Sequence, residues 1–438
     1  MSDSLINKGD IAQHAAAESI DRSAYLPATP WLQLMLVCCL FALWGMAGNL
    51  NDILIAQFKK GFDLSDTQTA LVQSIFFLGY FVMALPAAAV IKRYSYKVAI
   101  VIGLCLYALG CFLFIPAAQI MTYGAFLACL GVIATGLSFL ETSANTYSSL
   151  LGPLETSTQR INFSQIFNSL GIIFGVLIGQ QLVFGKNDPS HAELLQMPPA
   201  AAEAARTQMV SQVVTPYLII GSVLIVLALN FTACKTQRSH QGAGKPLMQS
   251  LKILLALPRF RLGVLSQFLY VGAQVGLWSF TIRFVQMIEQ GATEHSATYW
   301  LLATLVCYSA GKVVTTALMK KFSPARLLGV FCSVCVLLLL LAVNIQSLLA
   351  VVAIMGVNFC MALCWPTNFG LTIKGLGEET QVAGSIVVMS IIGGAVVPLL
   401  MGIISDLNGG DMQIAFAVPL VCFAYVAFYG FYCARKGI

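Results

Sequence analysis

Apolar runs of helix-spanning length recur along the whole chain, each closed by a short polar stretch. A run of ~20 apolar residues is long enough to cross a bilayer as a helix. The pattern predicts twelve such spans, near residues 31–57, 68–91, 97–117, 123–150, 162–184, 213–233, 262–288, 296–319, 325–344, 347–373, 381–404 and 412–434. Two connections stand out by length. Residues 185–212 form a polar loop between spans five and six, with a short helix expected after Pro199. Residues 235–260 join spans six and seven and divide the chain into two halves of six spans. The resulting organisation is a cytoplasmic tail over 1–30, an N-terminal bundle over 31–234, a cytoplasmic linker over 235–260 and a C-terminal bundle over 261–438.

Composition removes the alternative of a water-soluble fold. The chain is 58% hydrophobic and 10% charged over 438 residues, where soluble domains are roughly 45–50% apolar and about 25% charged. Lipid must cover the surplus, so an all-α polytopic membrane protein is expected. The first thirty residues lack the short apolar core of a cleaved signal, and span one is expected to stay in the membrane. Most of the 13 cysteines fall inside apolar runs. Cys332 and Cys335 form a C-x-x-C with no His or acid nearby, and the cysteines read as small membrane-core side chains.

Charge sets orientation. Lys92, Arg93 and Lys97 follow span two, Lys235, Arg238, Lys245, Lys252 and Arg259 follow span six, and Lys320, Lys321 and Arg326 follow span eight. The opposite joins hold few cations, so both termini and the central linker are expected on the cytoplasmic side. The net charge of +6 is this topology signal and implies no nucleic-acid partner. The halves also resemble one another: AVIKRYSYK (89–97) parallels ALMKKFSPAR (317–326), and span four ends SSLLG where span ten ends TIKGLG. A parallel repeat of six helices is the arrangement of major facilitator transporters, whose halves rock about a central site.

An ionisable side chain inside a span costs about 2.5–3.5 kcal/mol and marks a functional position by default. Asp52, Glu141, Lys312 and Arg283 are the ones that qualify. Asn49 and Asp52 lie three apart in span one, Glu141 and Asn145 four apart in span four, and Gln165 and Asn168 three apart in span five. Each pair therefore shares a helical face. Span seven adds Gln274 and Trp278, and span ten adds Trp365 and Asn368 beside Pro366.

Carboxamides both donate and accept, as a neutral polyhydroxylated ligand requires. Indole faces stack on the apolar side of a sugar ring. A carboxyl in such a cavity can carry a proton across, charged when water reaches it and neutral when protein closes over it. The set predicts proton-coupled carriage of a neutral sugar, with Asp52 and Glu141 as the proton-coupling pair. Asn49, Asn145, Gln165, Asn168, Gln274, Trp278, Trp365 and Asn368 are the expected sugar contacts. Bland roles compete. Any single amide can simply bond a neighbouring helix, as expected for Gln267 and Asn358, and either acid could instead pair with Lys312 or Arg160. Trp44 and Trp278 could be packing residues, and Arg283 reads as an interfacial cation whose stem is buried. The glycines of VVMSIIGGAVVPLLMG (387–402) read as close-packing positions. No nucleophile with a base, phosphate loop or metal-ligand set is legible, so an enzyme is not expected.

With those residues in place, the chain resembles the fucose–galactose–glucose:proton symporters of the major facilitator superfamily from about Phe41 to Leu407. The motifs that carry the resemblance include NLNDIL (49–54), FLGYF (77–81), LYALG (106–110), LETSAN (140–145), FNSLG (167–171), YVGAQ (270–274), IKGLG (373–377) and MSIIGG (389–394). The resemblance implies that Asp52 and Glu141 are the protonatable pair and that Gln165, Asn168, Gln274 and Trp278 contact sugar. The acid at 141 favours the fucose-type branch, with L-fucose the sugar expected first. The sequence departs from the family at Gly48, Thr146 and Cys364-Trp365, which leaves another hexose or an N-acetylhexosamine open. A monomer in a bacterial cytoplasmic membrane, with the proton as coupling ion and no other cofactor, is the implied setting. A proton-coupled exporter using the same helices is the alternative transport class. A sugar sensor is disfavoured by loops too short for an output domain.

Overall fold

The computed structural model describes residues 25–62, 66–182, 196–233, 247–289 and 294–438, the side chains of 47–57, 59–61, 66–74, 176–182 and 294–298 excepted. Among the described residues the chain runs as twelve helical rods with no strand. Span one is Trp31–Gly61 and span two Asp66–Arg93. Span three is Tyr96–Ile120 and span four Tyr123–Leu150. Span five is Ser157–Leu182 and span six Pro199–Ala233. Span seven is Pro258–Ile288, span eight Glu294–Leu318 and span nine Pro324–Asn344. Span ten is Leu348–Ile373, span eleven Gly377–Leu407 and span twelve Met412–Arg435. Among the described residues, ten of these helices are long and apolar enough to cross a membrane. The chain is therefore a multi-pass membrane protein.

The expected helix after Pro199 is present as Pro199–Gln212, running almost directly into Val214–Ala233. The linker holds a further short helix, Leu247–Ala256. Span five begins at Ser157, earlier than the polarity of STQR suggested. The reason is Arg160, whose guanidinium lies on the end of span four. It donates to the carbonyls of Ser148 (3.2 Å), Ser149 (2.5 Å), Gly152 (3.0 Å) and Pro153 (2.8 Å), and to Thr156 Oγ1 (2.6 Å). A helix C-terminus leaves its last carbonyls unpaired, and this cation satisfies two of them, Ser148 and Ser149, together with the Gly152 and Pro153 carbonyls of the connection. Glu141 is not among the partners of Arg160, one of the pairings the sequence left open for either acid; Asp52 lies outside the described side chains.

The internal repeat extends to capping chemistry. Ser95 Oγ accepts from Val98 N–H (3.2 Å) at the start of span three, and Ser323 Oγ accepts from Arg326 N–H (3.3 Å) at the start of span nine. These are serine N-caps at matching places in the two halves. Gly152 and Gly375, just beyond spans four and ten, take φ of 151° and 71°, values that favour glycine.

Two rods of the C-half are interrupted. Span ten breaks between Leu348–Met361 and Cys364–Ile373, where Pro366 lacks the N–H that would reach back one turn. Span eleven passes through a tight turn at Ser390–Ile392 before Gly393–Leu407. There the glycines act as packing positions, as the sequence suggested. A Cβ on Gly393 would strike the Phe268 carbonyl, and one on Gly394 would lie 2.8 Å from the Phe77 ring of the N-half.

The halves meet at the end that carries the Lys/Arg-rich connections. Asn162 Nδ2 of span five donates to Thr367 Oγ1 of span ten (3.2 Å), and the Gly375 N–H donates to Tyr25 Oη (3.2 Å). A Cβ on Gly370 would lie 2.9 Å from Thr158 Oγ1, so spans five and ten approach closely at that position. That end of the molecule is shut.

Candidate functional site

Between the halves lies a cavity of about 590 Å³. Its N-half wall is Trp44, Gly45, Phe76, Phe77, Tyr80, Gln165, Asn168 and Ile172. The C-half wall is Gln274, Val275, Trp278, Ser279, Leu301, Leu305, Tyr308, Lys312 and Trp365. On span eight the lining runs from Lys312 back to Leu301, away from the Lys/Arg-rich end. The volume suits a small ligand, and the mixture of aromatic faces with a few amides is that of an orienting site.

Span seven places Gln274 and Trp278 one turn apart on the cavity face, as their spacing predicted. Gln274 Nε2 donates to Tyr308 Oη at 2.9 Å, and Trp278 Nε1 donates to Asn358 Oδ1 at 2.7 Å. Asn358 is therefore a helix-bonding amide, as expected, and it fixes the ring that faces the cavity. Trp278 and Tyr308 pack edge-on at 5.3 Å, and Trp365 stacks on Phe369 at 5.4 Å while meeting Trp44 edge-on at 6.2 Å.

Span five contributes Gln165 and Asn168. Gln165 Nε2 donates to Asn145 Oδ1 at 3.4 Å, and Asn168 Nδ2 donates to the Phe41 carbonyl at 3.3 Å. Asn168 can stand at the wall because span one offers it a glycine: a Cβ on Gly45 would strike the Asn168 carbonyl.

Two expected contacts do not reach the wall. Asn145 is 0% exposed, sits behind Gln165, and donates through Nδ2 to the Glu141 backbone carbonyl at 3.0 Å. Asn368 is 0% exposed and accepts from Ser266 Oγ at 3.0 Å. Asn368 shares span ten with Trp365 of the wall, whereas span four, which carries Asn145, contributes no residue to it. Asn49 and Asp52 fall outside the described side chains. Gln267, expected to bond a neighbouring helix, has no partner on either amide atom among the described residues. Arg283 is exposed with its guanidinium 5.8 Å from the Phe280 ring, in keeping with an interfacial position.

Glu141 is 1% exposed and also stands behind the wall. Its carboxyl meets the Tyr80 hydroxyl, which in turn meets the Trp44 indole. Oε1 has no hydrogen-bond partner among the described residues. A buried polar atom left unpaired is costly, so the arrangement suits a carboxyl that carries a proton for part of its working life.

Sequence reasoning missed or undervalued four wall residues: Trp44, Tyr80, Tyr308 and Lys312. Lys312 is 3% exposed, with Nζ donating to the Gln165 carbonyl (3.3 Å), 3.5 Å from Gln165 Oε1, and 4.8 Å from the Tyr308 ring centre. A signal was present. Tyr308 and Lys312 are four apart and share a face, the spacing at which an ammonium lies over the preceding phenol ring.

Compared with known proteins, the chain matches the Major Facilitator Superfamily over residues 34–398. The chain belongs to that superfamily. Among its relatives, the L-fucose-proton symporter of Escherichia coli is 36% identical over 94% of this chain and 96% of its own length. The glucose/galactose transporter of Brucella abortus is 34% identical over 89% of this chain and 91% of its own. A crystal structure of a Major Facilitator Superfamily transporter, FucP, in the outward conformation superposes with a TM-score of 0.86 at 36% identity, covering 94% of this chain and 99% of that one. As a superfamily member, this protein has the fold expected from its internal repeat, with the cavity at the interface of the repeats.

Proposed function

We propose that this protein is a proton-coupled symporter that imports a neutral monosaccharide, L-fucose first, across a bacterial cytoplasmic membrane by alternating access. The observation that carries the reading is a cavity of amides and indole faces with the Glu141 carboxyl held just behind it at Tyr80. The extensive likeness to the L-fucose-proton symporter of E. coli supports both the sugar and the coupling ion. The Lys/Arg-rich end faces the cytoplasm and is closed, so the cavity is the outward-facing site.

In this reading Gln165, Asn168 and Gln274 hold sugar hydroxyls, while Trp278 and Trp365 cover the apolar face of the ring. Asn145 and Asn368 act from behind the wall by orienting Gln165 and span ten. Asp52 and Glu141 exchange the proton; protonation outside favours sugar binding, the halves rock, and both leave inside. The protein works as a monomer, needs no cofactor beyond the proton and performs no chemistry on its cargo. A second sugar class has specific support, because the glucose/galactose transporter of B. abortus is nearly as similar.

The test is external pH in unbuffered, de-energised cells expressing the protein, on addition of L-fucose and then of other neutral sugars. Alkalinisation with L-fucose, lost in Glu141→Gln, is the expected result. Alkalinisation with galactose or glucose alone would move the substrate to the second class. Labelled sugar entering with no pH change for any sugar would overturn symport.

A further inference from the structure

The proton-coupling role assigned to Glu141 leaves a gap, since Glu141 does not line the cavity from which the proton must come. Tyr80 does line it. From span two its hydroxyl meets both the Glu141 carboxyl of span four and the indole of Trp44 of span one, itself a cavity residue. The backbone holds the ring in place, for Ser138 Oγ of span four donates to the Tyr80 carbonyl at 3.4 Å. Around the pair, Tyr107 of span three is the next titratable group toward the interior, and Lys312 of span eight lies across Gln165. Asp52 of span one falls outside the described side chains.

We propose that Tyr80 is the positioning residue through which Glu141 exchanges its proton with the cavity. This rests on the symport reading above. A phenol can accept at its oxygen while it donates its own hydrogen. Hydronium in water that enters the cavity gives a proton to the Tyr80 oxygen. In the same event the phenol O–H bond breaks and an O–H bond forms on the Glu141 carboxylate. The products are a neutral carboxyl, an intact phenol and one water molecule, and release runs the sequence backwards. The Trp44 indole N–H orients the Tyr80 oxygen so that its hydrogen points at the carboxyl. Tyr80 also lines the cavity that the symport reading assigns to sugar, so sugar and the group that serves Glu141 meet at one wall.

The experiment compares wild type, Tyr80→Phe and Trp44→Phe for two readouts in one preparation: sugar-driven proton uptake, and exchange of labelled sugar at equal concentrations across the membrane. Phe keeps the ring and removes the relay. In Tyr80→Phe, proton uptake is expected to fall about ten-fold or more, while sugar exchange falls only about two- to three-fold. The pH dependence of exchange flattens as well. Trp44→Phe shows the same pattern with a smaller drop. Proton uptake that tracks sugar exchange one-for-one in Tyr80→Phe, with the wild-type pH profile, would overturn the proposal. Should Tyr80→Phe fail to reach the membrane, the wild type in deuterium oxide decides. A two-proton relay slows proton uptake by about two-fold or more relative to sugar exchange, and equal slowing of both would sink it. Failure of the symport reading looks different: the wild type itself then moves no protons with any sugar.

Discussion

On the C-half wall, Gln274 reaches Tyr308 in 2.9 Å and Trp278 reaches Asn358 in 2.7 Å. On the N-half wall, Gln165 reaches Asn145 in 3.4 Å, Asn168 reaches the Phe41 carbonyl in 3.3 Å, and Lys312 crosses to Gln165 Oε1 in 3.5 Å. The first pair has the length of well-made hydrogen bonds; the second group lies at the long limit. One wall is thus locked against itself before any ligand arrives, with its aromatic faces fixed. The other keeps amides whose bonding capacity is poorly used and open to capture by a hydroxylated guest. A site built this way divides its labour: shape comes from the C-half and polar adaptation from the N-half, where the acid also sits.

That comparison can be broken at several points. The largest effect is expected from Arg160→Met in the N-half, which removes the partner of the Ser148 and Ser149 carbonyls of span four and of the Gly152 and Pro153 carbonyls after it. Thermal unfolding in detergent should register a loss of about 3 kcal/mol. Next come matched changes at the helix seams. Gly45→Ala drives a methyl into the Asn168 carbonyl, costing about 1–3 kcal/mol in the same assay. Gly276→Ala in the C-half meets the Met401 thioether, which can swing away, and should cost well under half that. A smaller effect belongs to Asn358→Leu. Freeing the Trp278 indole should raise the KM for sugar about five-fold, equivalent to about 1 kcal/mol, with little change in unfolding temperature. If Asn358→Leu instead left KM untouched, the idea of a pre-set C-half wall would be wrong.

The spans were legible because lipid imposes one rule on the whole sequence, that apolar length must match the membrane. The early start of span five escaped because STQR reads as loop until Arg160 is seen bonded to the end of span four. At the site, helical spacing correctly set Gln165 beside Asn168 and Gln274 beside Trp278 on shared faces. It could not say which way each face turns. Asn368 lies on a helix that lines the cavity and Asn145 on one that does not, and both are buried in their own halves, where Ser266 and Gln165 supply partners. Tyr80 and Tyr308 hid among apolar neighbours, since a phenol in a membrane helix looks like packing until its hydroxyl is located. Lys312 lies only two turns from Lys320 in sequence, and its place in the cavity comes from the tertiary approach of span eight to span five.

The arginine at the foot of spans four and five has a mechanical meaning. Five donated bonds tie the first turn of span five to the last turn of span four, at Ser148 and Ser149, and to the connection between them, at Gly152, Pro153 and Thr156. Glu141, Asn145, Gln165 and Asn168 all ride on this welded pair, so their mutual spacing behaves as a rigid jig through any rocking of the halves. Motion is then felt at what touches the jig from outside it: Tyr80 of span two, Lys312 of span eight, and spans one and ten at Asn168 and Asn162. News of an opening or closing reaches the buried acid as a change of neighbour, while its own mounting stays still.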